Sequence, residues 1–365
     1  MRTLIIGLLV LYSSLSIAQP RAMALFSDLT KPWGMTFLPD SRLLISQKPG
    51  QMVILDQRFQ RIDAVIQVVP EVYYSGQGGL LDVALDPDFE SNQWLYWSYA
   101  EAGLDKQAGL AGTAVARGRL VNDKLQDIEV IYRQYPKVTG TGHYGSRLVF
   151  GRDKTLFITL GERQKFTPSQ DLSSTLGKVV RINRDGSIPA DNPVLKGARA
   201  EIYSFGHRNP QGAALHPLTG QLWVHEHGPQ GGDEINLVKP AGNYGWPYIS
   251  YGCHYGDPVG EACRIGEGTH APDYIEPISY WVPLSIAPSG MMIYNGDRFP
   301  QWRNDIFLGA LAGRALWRVK IQQEAEVERE ALFSELNERI RDVEQGPDGW
   351  IYMITDSGKL FQIKD

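Results

Sequence analysis

Apolar and polar residues alternate in short runs along most of the chain, and the runs come in pairs around turns rich in Pro, Asp and Gly. The first pair is GMTFLPDSRLLIS, Gly34 to Ser46. Others begin at Asp82 (DVALDPDFESNQWLYWSYA), Ser146 (SRLVFGRDKTLFITLGE), Gly212 (GAALHPLTGQLWVHEHG), Gly290 (GMMIYNGDRFPQWRNDIFLGAL) and Asp342 (DVEQGPDGWIYMITDSG). Period-two alternation on both sides of a turn-rich gap predicts a β-hairpin. Six copies, spaced by roughly 50–80 residues, predict one small sheet per repeat, packed face to face in a ring. A sheet of this size buries too little apolar surface alone, and its neighbours in the ring supply the rest.

The expectation is therefore an all-β chain, a six-bladed β-propeller of four-stranded antiparallel blades, with residues 19–365 as a single domain. Runs such as Gln51–Leu55, Gly177–Ile182 and Leu316–Val319 supply the outer strands. The charged run Glu324–Glu330 reads equally as a helix, a strand end or a solvated loop. A β-sandwich would use the same alternating strands.

Residues 1–18 depart from this pattern. Arg2, the apolar run Leu4–Leu11 and the small-residue ending Ser16-Ile17-Ala18 read as a cleavable signal peptide, too short to stay as a membrane anchor. That places the mature protein in the periplasm or outside the cell and predicts no membrane span. Cys253 and Cys263, the two cysteines, stand in one loop and would pair in an oxidising compartment. A formal net charge of −5 leaves no broad basic surface for nucleic acid.

Glycine-rich polar phrases precede several first repeat strands: Ser75–Asp82, Thr139–Arg147, Gly206–Gly212 and Arg339–Asp342. In a propeller these positions share one face. His143, between Gly142 and Gly145, has room to act as a general base there, or it merely bonds the backbone. Arg339 and Arg341 alternate, so both side chains share one face, where they either clamp an anion or sit in salt bridges, Asp342 being one candidate partner. Asp233-Glu234, within the stretch GPQGGDEINLVKPAGNYGW, reads as a hard-cation site or as a capped turn.

Taken together, GQGGLLDVAL, GHYGSRLVF, GHRNPQG, EHGPQGGDEINLVKPAGNYGWP and RIRDV resemble the soluble quinoprotein sugar dehydrogenases, the aldose sugar dehydrogenase and soluble glucose dehydrogenase family. The resemblance covers nearly the whole mature chain. It implies pyrroloquinoline quinone (PQQ) and Ca²⁺ at one end of the channel, with oxidation of the C1 hydroxyl of an aldose sugar to a lactone. By the same resemblance His143 takes the hydroxyl proton, while hydride passes from C1 to the quinone. Arg208 and Asn209 face the quinone oxygens, Arg208 steadying the developing charge. Gln77, Arg339 and Arg341 hold the cofactor. Tyr255, Ser285 and His227 fall at cofactor-contacting positions, and Asp233 points to the cofactor side. Gly228 and Pro229 offer carbonyls to the catalytic ion, and Glu234 with the backbone of Tyr244 holds a structural one.

Departures from the family pattern are equally specific. Ala312 stands where a cofactor-binding lysine is common, with Arg314 two residues on as a possible substitute. Gly142 replaces an aspartate, which leaves Glu162 to orient His143, and His227 replaces a glutamine. The partners implied are an aldose and an external electron acceptor, for a monomer or homodimer. A calcium-dependent lactonase and a non-catalytic carbohydrate- or protein-binding propeller are the competing readings.

Overall fold

A computed structural model describes residues 20–365, so the signal sequence expected at 1–18 lies outside the described residues. The described residues form six four-stranded antiparallel sheets and one small hairpin. Each repeat pair supplies the first two strands of a blade. The first strands are Pro32–Phe37, Leu80–Leu85, Gly145–Phe150, Pro210–Leu215, Pro288–Ile293 and Ile340–Gln345. Gln51–Leu55, Lys178–Ile182 and Leu316–Gln322 are third strands, more buried than expected for outer ones, because a further strand covers each. The charged run belongs to such a covering strand, Ala325–Leu332, whose outer face is solvated.

The last blade is built from both ends of the chain. Ile340–Gln345, Ile351–Thr355 and Leu360–Lys364 form three strands, and Arg21–Phe26 pairs antiparallel with the third, Arg21 opposite Lys364. Apolar clusters fill the seams between neighbouring blades. Leu44, Ile54 and Trp97 join the first two blades, Met292, Phe307 and Met353 the last two, and Met35, Leu43 and Ile354 close the ring between first and last.

All six first strands carry a register shift near their start. A bulge frees a backbone amide from the ladder and re-aims the side chains around it. In the first three blades a hydroxyl on the second strand accepts that amide. Ser46, Ser98 and Thr159 take Gly34 N, Asp82 N and Arg147 N, each at 2.9 Å. The same hydroxyls donate onward to the next blade, to the carbonyls of Leu81, Ser146 and Pro210. One small side chain thus satisfies the bulge and ties two blades.

The bulges also aim charge at the axis. Arg147, buried, reaches Asp82 at 2.8 Å and Asp342 at 3.0 Å and lies over the Trp33 ring at 4.3 Å. Gly290 makes room for this cluster: a Cβ there would stand 2.3 Å from Asp342 Oδ1, on a backbone with φ +51°. Asp342 therefore pairs with Arg147, not with Arg339 or Arg341.

Candidate functional site

The glycine-rich phrases meet at the face where the first strands begin. His143 sits there at φ +53°, 6 % exposed, at the start of the third blade. Its backbone can turn so tightly because Gly161 lies against it: a Cβ there would be 2.1 Å from His143 O. His143 Nδ1 meets Glu162 Oε1 at 2.5 Å. Glu162 is itself fixed by the amides of Lys165 and Phe166. Nε2 of His143 has no protein partner among the described residues. A Glu162 carboxylate on Nδ1–H selects the tautomer that leaves Nε2 as the proton acceptor. Burial lowers the His143 pKa below its ordinary value, although the bond to Glu162 opposes it. Burial would raise Glu162, but the bond to His143 and that residue's charge hold it below the usual carboxylate value.

Neighbouring loops hold this pair in place. Gln77 Oε1 accepts His143 N at 2.7 Å, and Gln77 N donates to Thr141 O at 2.8 Å. Asn209 Oδ1 accepts Gly145 N at 3.1 Å. Arg208 donates through Nη1 to the carbonyls of His227 and Gly228, at 3.1 and 2.7 Å, and its amide donates to Glu226 Oε2 at 2.6 Å. The guanidinium lies 5.1 Å from the Trp246 ring and 5.9 Å from the ring of Tyr255, which is 72 % exposed at the rim. Trp246 stacks on Phe166 at 5.5 Å. Arg208 Nε, Asn209 Nδ2 and His227 Nε2 are buried without a partner. Buried polar atoms are rarely left unpaired in a protein interior, so these three fit a polar ligand in contact with adjoining motifs.

The acidic loop divides its work. Asp233 accepts Gly228 N, the Ser285 hydroxyl and the amides of Ile286 and Ala287, at 2.6–3.0 Å. Asp233 and Ser285, both expected at the cofactor, join the two loops to each other, and burial raises Asp233 to about 6. Glu234 faces Glu226 across the second and third strands of the fourth blade, with Asn236 Nδ2 at 3.3 Å from a carboxylate oxygen of each. Burial, and then the charge of Glu226, pushes the Glu234 carboxyl well above its usual range. A cavity of about 10 Å³, close to the size of one water, is lined by Glu226, Glu234, Gly228 and Tyr244. Two buried carboxylates beside a space of that size fit a small hard cation. Among the described residues no cluster of three or more His, Cys, Asp or Glu side chains surrounds a metal position.

Tyr244 arrives by an unusual path. The connection between the third and fourth strands of the fourth blade runs beside the third blade, Tyr244 N bonding Phe205 O at 2.9 Å and Trp246 N bonding Gly206 O at 3.0 Å. It then forms the hairpin Ser250–Cys253 with Arg264–Ile265, closed by the expected Cys253–Cys263 disulfide. In the third blade, Lys178 is buried, and its ammonium donates to the carbonyls of Pro168, Ser169 and Leu176 at 2.8–2.9 Å. These bonds pin the loop that follows Glu162. Lys178→Met leaves the three carbonyls without their donor and is expected to cost about 2–4 kcal/mol in chemical denaturation; a loss below about 0.5 kcal/mol would show that water replaces the ammonium.

Arg339 and Arg341 share Asp356. Nε of each reaches that carboxylate at 2.8 Å. Arg341 Nη1 also lies 3.3 Å from Ser289 Oγ, and Arg339 Nη1 donates to Leu311 O at 3.0 Å. Arg314, two residues on from Ala312, donates to the Asn337 side chain at 3.0 Å. Ala312 contributes only a backbone amide, bonded to Ile286 O at 3.0 Å. The sequence reading missed Glu226, Trp246, Phe166 and Asp356. Glu226 and Trp246 lie inside a phrase already singled out, whereas Phe166 and Asp356 have no glycine-rich flank to mark them.

The family model described as Glucose / Sorbosone dehydrogenase matches residues 29–362. The aldose sugar dehydrogenase YliI of Escherichia coli strain K12 is 43% identical over 344 residues, 92% of this chain and 90% of that protein. The crystal structure of the soluble aldose sugar dehydrogenase from Escherichia coli, in the apo-form, is similar at a TM-score of 0.87 and 41% identity, over 95% of this chain and 99% of that one. The PQQ-bound form of an aldose sugar dehydrogenase from Streptomyces coelicolor is similar at 0.77 and 26% identity, over 95% and 98%.

Proposed function

The chain belongs to the glucose / sorbosone dehydrogenase family, and from that premise we propose that it oxidises the C1 hydroxyl of aldose sugars to lactones with PQQ and Ca²⁺, in the periplasm or outside the cell. Gln77, Arg208, Asn209, His227, Tyr255, Arg339 and Arg341 would hold PQQ. Gly228 and Pro229 would offer carbonyls to the catalytic ion, and Glu234 with Tyr244 would serve a structural one. When bound, PQQ supplies the electrophilic carbon that takes hydride from C1, and a separate acceptor later removes the electrons.

The observation that carries this reading is the His143–Glu162 pair. Neutral His143 takes the C1 hydroxyl proton at Nε2 while Nδ1–H stays on Glu162, whose negative charge stabilises the imidazolium that forms. Arg208, fixed by two carbonyls and an aromatic face, presents fixed positive charge where negative charge develops. Phe166 and Trp246 offer an apolar wall beside the base. Apoprotein mixed with PQQ, Ca²⁺, a panel of aldoses and a redox dye should reduce the dye and bleach the quinone spectrum. Neither change with any aldose overturns the reading, and lactone hydrolysis without PQQ replaces it with a lactonase.

A further inference from the structure

We propose that Lys48, from the first blade, binds a carboxylate of the cofactor together with Arg339 and Arg341, filling the role that Ala312 cannot. The inference rests on the reading of the site as a PQQ site.

Lys48 follows the second strand of the first blade, Leu43–Gln47. Its Nζ donates to Gly76 O at 2.8 Å, so the ammonium is anchored on the turn that carries Gln77. Its stem packs on that turn as well: a Cβ on Gly79, where φ is +138°, would lie 3.0 Å from Lys48 Cβ and 2.4 Å from Lys48 O. Tyr74 stands 5.6 Å away and flanks the ammonium with a ring face. An ammonium has three donors, and among the described residues this one meets a single protein acceptor. The other charges acting on it come from Arg341, Asp356 and Lys31. Arg339 and Arg341 already divide the Asp356 carboxylate between them, so it leaves no acceptor of its own for the ammonium of Lys48, which feels the charge of Arg341. Burial and the charge of Arg341 lower Lys48 to about 8, and it remains mostly protonated at neutral pH. An excess of fixed cations around a partly buried position matches a ligand with several carboxylates. PQQ carries three of these, and the Ala312 side chain offers it no charge.

The test is PQQ binding to apoprotein, followed by quenching of tryptophan fluorescence and needing no turnover. Lys48→Met should weaken binding about 10- to 100-fold, the loss of one charge-assisted bond. Lys48→Arg should retain most of the affinity, and Ala312→Lys added to Lys48→Met should recover it. PQQ with its carboxylates esterified should bind weakly and equally to wild type and Lys48→Met. Wild-type affinity in a folded Lys48→Met variant overturns the proposal. So does a weakened turnover of uronic acids with unchanged PQQ affinity, which would put the carboxylate on the sugar. If the wild-type protein binds no PQQ, it is the proposed function that fails.

Discussion

His143→Ala is expected to lower kcat by about 10²–10⁴-fold, the usual contribution of a positioned general base, with PQQ affinity nearly unchanged. The separation follows from where the ring sits. His143 uses its backbone amide on Gln77 and its Nδ1 on Glu162, so truncating the ring removes the proton acceptor and leaves the Arg339–Arg341 clamp intact. The pH profile provides a second readout. Because burial lowers the His143 pKa, the active neutral form is present at neutral pH, and the rate falls only as acid carries the ring through that depressed pKa. Glu162 raises the same pKa. Glu162→Gln should therefore slide the acid limb to still lower pH and also reduce kcat, by less than His143→Ala does. An acid limb that moves upward, or a His143→Ala enzyme at the wild-type rate, contradicts the assignment.

Arg147→Leu is expected to cost about 3–5 kcal/mol of stability at pH 8, as for other buried pairs that lose one partner. Asp82 and Asp342 stay buried on the axis with the opposing charge gone. The effect should shrink in acid, and the sign can be worked out. Burial raises Asp342 to about 6 in the folded chain, against an ordinary 3.8. A carboxyl raised in this way favours folding below its unfolded pKa and loses that contribution as pH rises through its folded pKa. Arg147 opposes the rise, so removing it pushes Asp342 and Asp82 higher and widens the window. Urea unfolding at pH 5 and pH 8 should then show a larger gap between variant and wild type at pH 8. An equal gap at both would mean that the carboxyls are not what Arg147 supports.

Much of this arrangement can be read in the residues themselves. Gly34–Ser46 and its counterparts stand out because a first or second strand is buried on both faces between neighbouring blades, and that burial demands apolar residues on either side of the turn. Ala325–Leu332 hides itself because an outermost strand faces water and can carry Glu at alternate positions, 326, 328 and 330. Arg21–Phe26 hides for another reason: its partner, Leu360–Lys364, lies at the far end of the chain, and no local pattern marks such a pairing. At the site, glycine-rich turns marked His143, Arg208 and the Gly228 loop, since close backbone approach needs glycine. Partners were harder. Arg341 and Asp342 are neighbours in sequence, but a strand sends successive side chains to opposite faces, so Asp342 goes to the axis and Arg341 to Asp356. The two roles of Asp233 and Glu234 divide by the same alternation.

The strand Arg21–Phe26 also sets an order of events during synthesis. It leaves the ribosome before any blade exists and has no pairing edge until Leu360–Lys364 has been made. Five blades can be complete while the sixth, which carries Arg339, Arg341 and Asp356, is still open. The Arg339–Arg341–Asp356 cluster, the proposed cofactor clamp, is thus assembled last, and a chain cut short by a few residues at its C-terminus would lose the closure of that blade before it lost the other five.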